Sequence, residues 1–511
     1  MNDSLAPGVA PRIWIAFSIM CAGMFMAILD IQIVSTALPT IRAALRIAPD
    51  QMVWIQTAYL TAEIVAIPLT GYLTRLIGMR WLFVTAVSIF TLASVACAAS
   101  DGFAPLITAR LVQGFAGGTL IPAVFSAVFL LFPARQQGLA TTLAGVAAVL
   151  APTLGPVVGG WITQTYSWHW LFLVNVVPGV IAAVAAAWLL RTAAAMERGQ
   201  AAFDALALAA LAAALTALEL ALKDAPGQGW NSARVLGELS VVVGAGAAFA
   251  LRTLRARHPV VELRLLRNRN FAVGSALSFV LGVGLFGSTY LMPFFLGLVR
   301  EHGALAIGQI MLVTGIAQLA AAPLAVALER RLDPRLLTLF GFALFGAGLL
   351  LSARQTVNTD AAEMILPQIL RGAAVMFCLL PPTRLALGQL SPTLVADGSG
   401  LFNLMRNLGG AIGLALIDTI IFSRSPHYAH LIEARLRAGD VATAVRIGIP
   451  RDAFLENLGE PIDDITTEMV RPLVDKAALV QALNDAWLAI GLVTVAALLL
   501  VWLVRKTVPR S

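Results

Sequence analysis

Charge is scarce in this chain. Only 12% of its 511 residues are Asp, Glu, Lys or Arg, against roughly 25% in a soluble domain. That shortage, beside 59% hydrophobic residues, excludes a water-soluble globular protein. Cysteine is scarce too: Cys21, Cys97 and Cys378 lie far apart in apolar runs, which leaves neither a disulfide framework nor CxxC metal spacing. No H-E-x-x-H, G-x-S-x-G, P-loop or paired acidic metal motif occurs, so the enzyme classes those motifs mark, and ATP drive, lack their residues. The net charge of +7 is spread over loop ends, without the basic–aromatic interleaving of a nucleic-acid surface. No cofactor, metal or nucleic-acid partner is expected. Only Arg12 precedes the first apolar run, with no A-x-A-like cleavage site, so that run reads as a retained helix rather than a signal peptide.

What the chain does have is long apolar runs, each able to cross a bilayer as a helix of about 20 residues. The first six cover 13–37, 51–72, 81–99, 104–131, 138–162 and 168–190. Two follow at 205–222 and 234–252, and six more at 271–298, 305–327, 335–352, 362–388, 397–423 and 484–504. The expected fold is therefore an all-α integral membrane protein with fourteen spans, its partner the lipid bilayer. One set of short loops carries Arg75, Arg80, Arg135, Arg191, Arg198, the arginines of 252–269, and Arg330, Arg331 and Arg335, with Arg505, Lys506 and Arg510 in the tail. The opposite loops carry Arg42, Arg46, Lys223, Arg234, Arg300 and Arg354. This roughly threefold bias places both termini in the cytoplasm and segment 424–483 outside. Within that segment, 427–439 and 462–487 have the periodicity of short amphipathic helices.

The two halves repeat weakly. "GYLTRLIGMRWLF" (71–83) is followed by "ITARLVQGFAGGTLIP" (107–122), and "AVALERRLDPRLL" (325–337) by "ILPQILRGAAVMFCLLP" (365–381). The expected organisation is an N-terminal six-helix bundle, 1–190, two inserted helices with an Arg-rich loop, 191–270, and a C-terminal six-helix bundle, 271–511. Internal repeats of this kind mark secondary transporters, with the substrate site at the repeat interface.

Several stretches carry a closer likeness: "LDIQIVSTALPTI" (29–41), "GYLTRLIGMR" (71–80), "ITARLVQGFAGGTLIPA" (107–123), "GVAAVLAPTLGPVVGGWI" (145–162) and "SWHWLFLVNVVPG" (167–179). The likeness extends through "RNFAVGS" (269–275) and "SGLFNLMRNLGGAIG" (399–413). In that order the chain resembles the EmrB/QacA-type drug:proton antiporters, the fourteen-helix branch of the major facilitator superfamily. The resemblance implies proton-coupled export of amphipathic or hydrophobic compounds across the cytoplasmic, or inner, membrane. For Gram-negative members it also implies a periplasmic adaptor and an outer-membrane channel as partners. It marks Gly71, Arg75, Gly78 and Arg80 as a cytoplasmic gate loop, in which the family usually has an acid where this chain has Thr74. It marks Gly145, Pro152, Gly155, Pro156, Gly159 and Gly160 as the antiporter helix.

Elementary physics gives these residues work to do. Asp30 lies about seven residues, or ~10 Å, from the outer end of its helix, and Arg110 about six, or ~9 Å. Their depths match for an ion pair, and Glu63 is placed to join it. Ionisable groups at membrane depth are costly and functional by default, so these three are the expected proton-coupling group. A static Asp30–Arg110 pair that only fixes packing is the alternative. The Gly/Pro-rich fifth run suits a bendable seal. Gln113, Arg371, Arg406 and Asp418 are candidate cavity residues; Asp418 is equally open to solvation at the interface, and for Glu219 solvation at the interface outweighs a functional role. Export of an endogenous metabolite or fatty acid remains a second reading. A membrane-embedded enzyme is a further reading, which lacks a catalytic constellation, and a channel or receptor-like scaffold is another, which has no need of an acid–base pair at matched depth or of a bendable Gly/Pro helix.

Overall fold

In lipid every backbone polar group must be satisfied internally, and for apolar runs of this length that leaves helices. A computed structural model describes residues 10–47, 49–52, 54–190, 204–329, 331–456 and 464–504, and among them all regular structure is helical. The first half comprises α1 (Pro11–Leu45), α2 (Pro49–Met52), α3 (Trp54–Ile77), α4 (Met79–Ala98), α5 (Phe103–Leu131), α6 (Ala134–Thr165), α7 (Trp170–Leu173) and α8 (Val176–Leu189). The inserted pair is α9 (Ala205–Gln228) and α10 (Ala233–Arg255). The second half comprises α11 (Arg269–Leu298), α12 (Ala304–Glu329), α13 (Pro334–Ser352), α14 (Ala361–Leu387), α15 (Pro392–Arg437), α16 (Val441–Ile447), α17 (Arg451–Glu456) and α18 (Asp464–Val501).

Thirteen helical stretches among the described residues are long and apolar enough to span a membrane, with α7 and α8 together making one. Helix α6 bends by 46° between Ala134–Pro152 and Val157–Thr165, and counted as one span it makes fourteen. The bend falls between Pro152 and Val157, where Pro156 lacks the N–H that would bond the Pro152 carbonyl in the i→i−4 ladder. Of the residues singled out in the sequence, Arg191, Arg198, Arg330, Arg505, Lys506, Arg510 and the Pro156 side chain lie outside the described residues, as do residues 457–463.

The halves meet where α6 runs along α12 and where α3 and α5 pack on α15. Helix α9 is wedged against both α3 and α15, whereas α10 packs chiefly on α9 and leaves most of its surface uncovered.

One expectation about elements fails. The amphipathic stretches 427–439 and 462–487 are not separate short helices. The first is the end of α15, which runs 46 residues without a break, about 69 Å at 1.5 Å per residue. The second is the start of α18, 38 residues long. Both stretches keep the 3.6-residue period of the neighbouring span; in α15 no glycine falls between Gly413 and Gly439, the latter at φ +79°, and Pro426 of α15 and Pro472 of α18 are carried inside their helices. The extended ends form a small dome: Ile432, Ile447, Val474, Ala477 and Ala478 make its core. Asp485 accepts hydrogen bonds from Tyr428 Oη at 2.6 Å and Arg424 Nη1 at 3.1 Å.

Candidate functional site

Asp30 and Arg110 meet as the depth argument requires. Arg110 Nη1 lies 2.5 Å from Asp30 Oδ2, and both side chains are fully buried. An unpaired carboxylate here would cost several kcal/mol, and the pair is held by polar groups from α3, α4, α5 and the break between α7 and α8. Asn175 Nδ2, in the short break between α7 and α8, donates to Asp30 Oδ1 at 2.7 Å. Gln113 Nε2, on α5, donates to the same oxygen at 3.1 Å and to Ser94 Oγ of α4 at 2.8 Å. Gln113 Oε1 in turn accepts from Arg110 Nη1 at 2.7 Å. Arg110 Nε donates to the Ile55 carbonyl of α3 at 3.1 Å, and its guanidinium carbon lies 4.4 Å from the Tyr59 ring centroid. Gly114 permits this approach: a Cβ there would overlap the Tyr59 backbone.

Glu63 does not join this network. Among the described residues it makes no hydrogen bond or ion pair, and it faces a cavity between the two halves instead. That cavity, about 180 Å³, is walled by α1, α3, α5, α6, α9, α11, α14 and α15, mostly with aliphatic side chains. Of the four candidate cavity residues only Arg406 lines it. Gln113 belongs to the Asp30 network. Asp418 accepts a hydrogen bond from Tyr290 Oη at 2.8 Å. Arg371 lines a separate cavity of about 320 Å³ toward the α13–α14 turn, its guanidinium 4.9 Å from the Trp487 ring. Glu219, read as interfacial, lines the central cavity because α9 is drawn in between α3 and α15.

The loop between α3 and α4 is tied down in three ways. Gly78 has φ +80°, a conformation that favours glycine, and starts α4. Arg80 Nη2 donates to the Ala187 carbonyl at 2.5 Å, fastening α4 to α8. Arg75 pairs with Asp397 at the start of α15, in the opposite half, and donates to the Pro259 carbonyl at 2.9 Å. Gly71 completes the contact, since a Cβ there would collide with Asp397. The acid that position 74 lacks is thus matched by one arriving from the other half. Ser399 Oγ, two residues beyond Asp397, donates to the Pro122 carbonyl of α5 at 2.8 Å.

The antiporter-helix residues divide between two neighbours. A Cβ on Gly145 would run into Leu379 and Met376 of α14, and one on Gly155 into Gln32 of α1. Gly159 and Gly160 are buried, and the Gly159 carbonyl accepts from Thr163 Oγ1 at 2.7 Å. Sequence reasoning missed Ser94, Asp397 and the role of Asn175. Asn175 was visible as the one amide in "SWHWLFLVNVVPG"; Ser94 and Asp397 gave no signal, because a serine in an apolar run and an acid at a helix start are both commonplace.

Residues 20–414 match the family model described as Major Facilitator Superfamily. The chain is similar to the colistin resistance protein EmrB of Acinetobacter baumannii, 36% identical over 80% of both chains. It is also similar to the multidrug export protein EmrB of Escherichia coli K12, 29% identical over 94% of this chain and 93% of that one. Among solved structures, the human organic anion transporter MFSD10 shares the fold at TM-score 0.58 and 14% identity, covering 96% of this chain and 100% of that one. The proton:xylose symporter XylE does so at TM-score 0.59 and 13% identity, covering 97% and 96%. The motifs, the two packed halves and the matched span of sequence agree: this multi-pass membrane protein belongs to the Major Facilitator Superfamily and is a transporter of its EmrB/QacA type, not an enzyme.

Proposed function

We propose that the protein is a proton-coupled antiporter that exports amphipathic or hydrophobic compounds across the cytoplasmic membrane by alternating access. The observation that carries this reading is the buried Asp30–Arg110 pair, held by Gln113 and Asn175 beside an apolar cavity between two halves. An aliphatic cavity suits greasy substrates of varied shape, with a few polar groups to orient them. The face carrying Arg75 and Asp397 is cytoplasmic by its excess of arginine, and there the ion pair across the halves holds the structure closed. Asp30 is sealed from the cavity in this conformation. Proton exchange therefore belongs to a different arrangement of α1 against α5 and α8, in which the carboxylate gains water and its tie to Arg110 loosens. Glu63 lies at the cavity wall, where it can exchange protons with whatever fills the space. Helix α6, bent and glycine-lined, slides against α12 as the halves rock. In a Gram-negative cell, the dome on α15 and α18 is the surface a periplasmic adaptor leading to an outer-membrane channel would meet.

The test is transport in inverted membrane vesicles. An imposed pH gradient, acidic in the lumen, should drive accumulation of a hydrophobic dye without ATP. Uptake that is unchanged when the gradient is collapsed would overturn proton coupling.

A further inference from the structure

The cavity toward the α13–α14 turn ends on an arginine that no acid answers. It lies inside the second half, among α11, α13, α14 and α18, and none of its lining residues lines the central cavity. Arg371 is about ten residues, or ~15 Å, into α14, and it is only 4% exposed. A guanidinium at such depth is costly unless something compensates its charge. Among the described residues no carboxylate does. Its Nε donates to the Pro367 carbonyl at a long 3.4 Å, and its Nη2 meets the Met292 sulfur at 3.5 Å. Neither contact supplies a negative charge. The fold nonetheless makes room for this side chain: a Cβ on Gly348 of α13 would stand 2.7 Å from the Arg371 stem. The contact with Pro367, one turn back along α14, aims the guanidinium toward the mouth of the cavity.

A second donor there also lacks an acceptor. Trp487 Nε1 is buried at the cavity wall with no hydrogen-bond partner, and an indole N–H can only donate. The acid in the lining, Glu363, is turned away and accepts from the Asp360 backbone N–H at 3.0 Å. Arg354, exposed at the rim, adds a positive charge. The balance of the cavity is therefore positive. Its volume, about 320 Å³, is far more than a halide ion fills and falls at the small end of ligand pockets. A guanidinium matches a carboxylate through two parallel N–H···O bonds, and Thr356, Asn358 and Thr359 give the mouth a polar lining. From the unpaired buried guanidinium, the orphan indole N–H and the polar mouth, we propose that this cavity binds a small hydroxylated organic carboxylate. Arg371 supplies the charge that holds the carboxylate, and the mouth residues meet the hydroxyl groups. The ligand enters from the face opposite the Arg75–Asp397 bridge, the outer one by the arginine count. The site stands apart from the central cavity and does not depend on the exporter reading.

The probe is radiolabelled gluconate, with gluconamide as its neutral counterpart, at equilibrium with the full chain in nanodiscs. Gluconate should bind saturably, and gluconamide about tenfold or more weakly. Arg371→Gln should weaken gluconate by about tenfold or more, as expected for loss of one charged contact. Arg371→Lys keeps the charge but not the fork, so it should retain part of the affinity, and it serves alone if Arg371→Gln does not fold. A hydrophobic dye should not displace gluconate. The proposal is overturned if gluconate binding does not saturate, if gluconamide binds as well, or if the folded variant binds gluconate as the wild type does. Displacement by the dye would put the ligand in the central cavity and overturn it too, and chloride binding as tightly as gluconate would show an inorganic anion site instead. Gradient-driven export of the dye is measured separately, so the failure of one reading can be told from the failure of the other.

Discussion

An acid inside an apolar helix asks what its charge is for, and the surroundings of Asp30 narrow the answer. Three side chains donate to one carboxylate, and its guanidinium partner is itself held by a backbone carbonyl and by the Tyr59 face. Removing one member of such a buried pair typically costs about 3–5 kcal/mol, so a single substitution confuses stability with mechanism. The informative experiment has two arms. Asp30→Asn keeps size and hydrogen bonding but cannot titrate; Asp30→Asn with Arg110→Gln also removes the stranded cation. If Asp30 carries protons, both variants bind substrate and both lose gradient-driven export. Recovery of proton-coupled export in the double variant would leave only a static pair. A second residue-scale prediction concerns Asp360, which caps α14 outside the spans. Arg300, hydrogen-bonded at 2.8 Å, and then His302, at 2.9 Å, hold its carboxyl well below the usual range. A carboxyl depressed in the folded state contributes stability above its unfolded value, about 3.9, and loses it as pH falls toward the folded value. Amide exchange across 354–361 should therefore rise below about pH 4. Arg300→Gln should remove most of that pH dependence; the same steepness in the variant would assign the effect elsewhere.

Elements were more legible than contacts. Apolar run length gave the spans, because a bilayer imposes one length on every helix that crosses it. The Gly/Pro pattern in 145–160 foretold a bend, which the structure places after Pro152. The inward position of α9 was hidden, since an alanine-rich run that packs on two neighbours looks the same in sequence as one that faces lipid; Glu219 was misread for that reason. The ends of α15 and α18 were misread because a span and an amphipathic extension share one period. Which helices slide past each other has to come from packing. A Cβ on Gly308 of α12 would collide with Val157, just past the bend in α6, at the contact between the halves. Gly308→Leu should therefore hold the halves apart there and lower transport by about tenfold or more, an effect equal to ~1–3 kcal/mol of overpacking. Expression and detergent-resistant folding should stay close to wild type. Gly159→Leu should act likewise from within α6. Full-rate transport by both variants would show that α6 is not a moving seal.

At the scale of the whole molecule, transport has a direction, set by which face of the two packed halves looks into the cell. The structure shows one face with the Arg75–Asp397 bridge, and the other with a dome built on the extended ends of α15 and α18. Direction comes from charge, and it is read from short loops because long segments cross the membrane largely regardless of their arginines. Counting Arg424, Arg435, Arg437, Arg446 and Arg451 of the dome would blur the bias; leaving them out puts the dome outside. The two faces can be labelled independently. His430 is 82% exposed on the dome, and Arg257 is exposed in the loop after α10. The three native cysteines are buried, so they give little background. A membrane-impermeant maleimide added to intact cells should label His430→Cys and spare Arg257→Cys, and permeabilisation should expose the second without changing the first. The reverse pattern would put the arginine-rich loops outside. It would also turn the gate to the wrong side for an exporter, and the proposed direction of proton flow through Asp30 would have to be reversed with it.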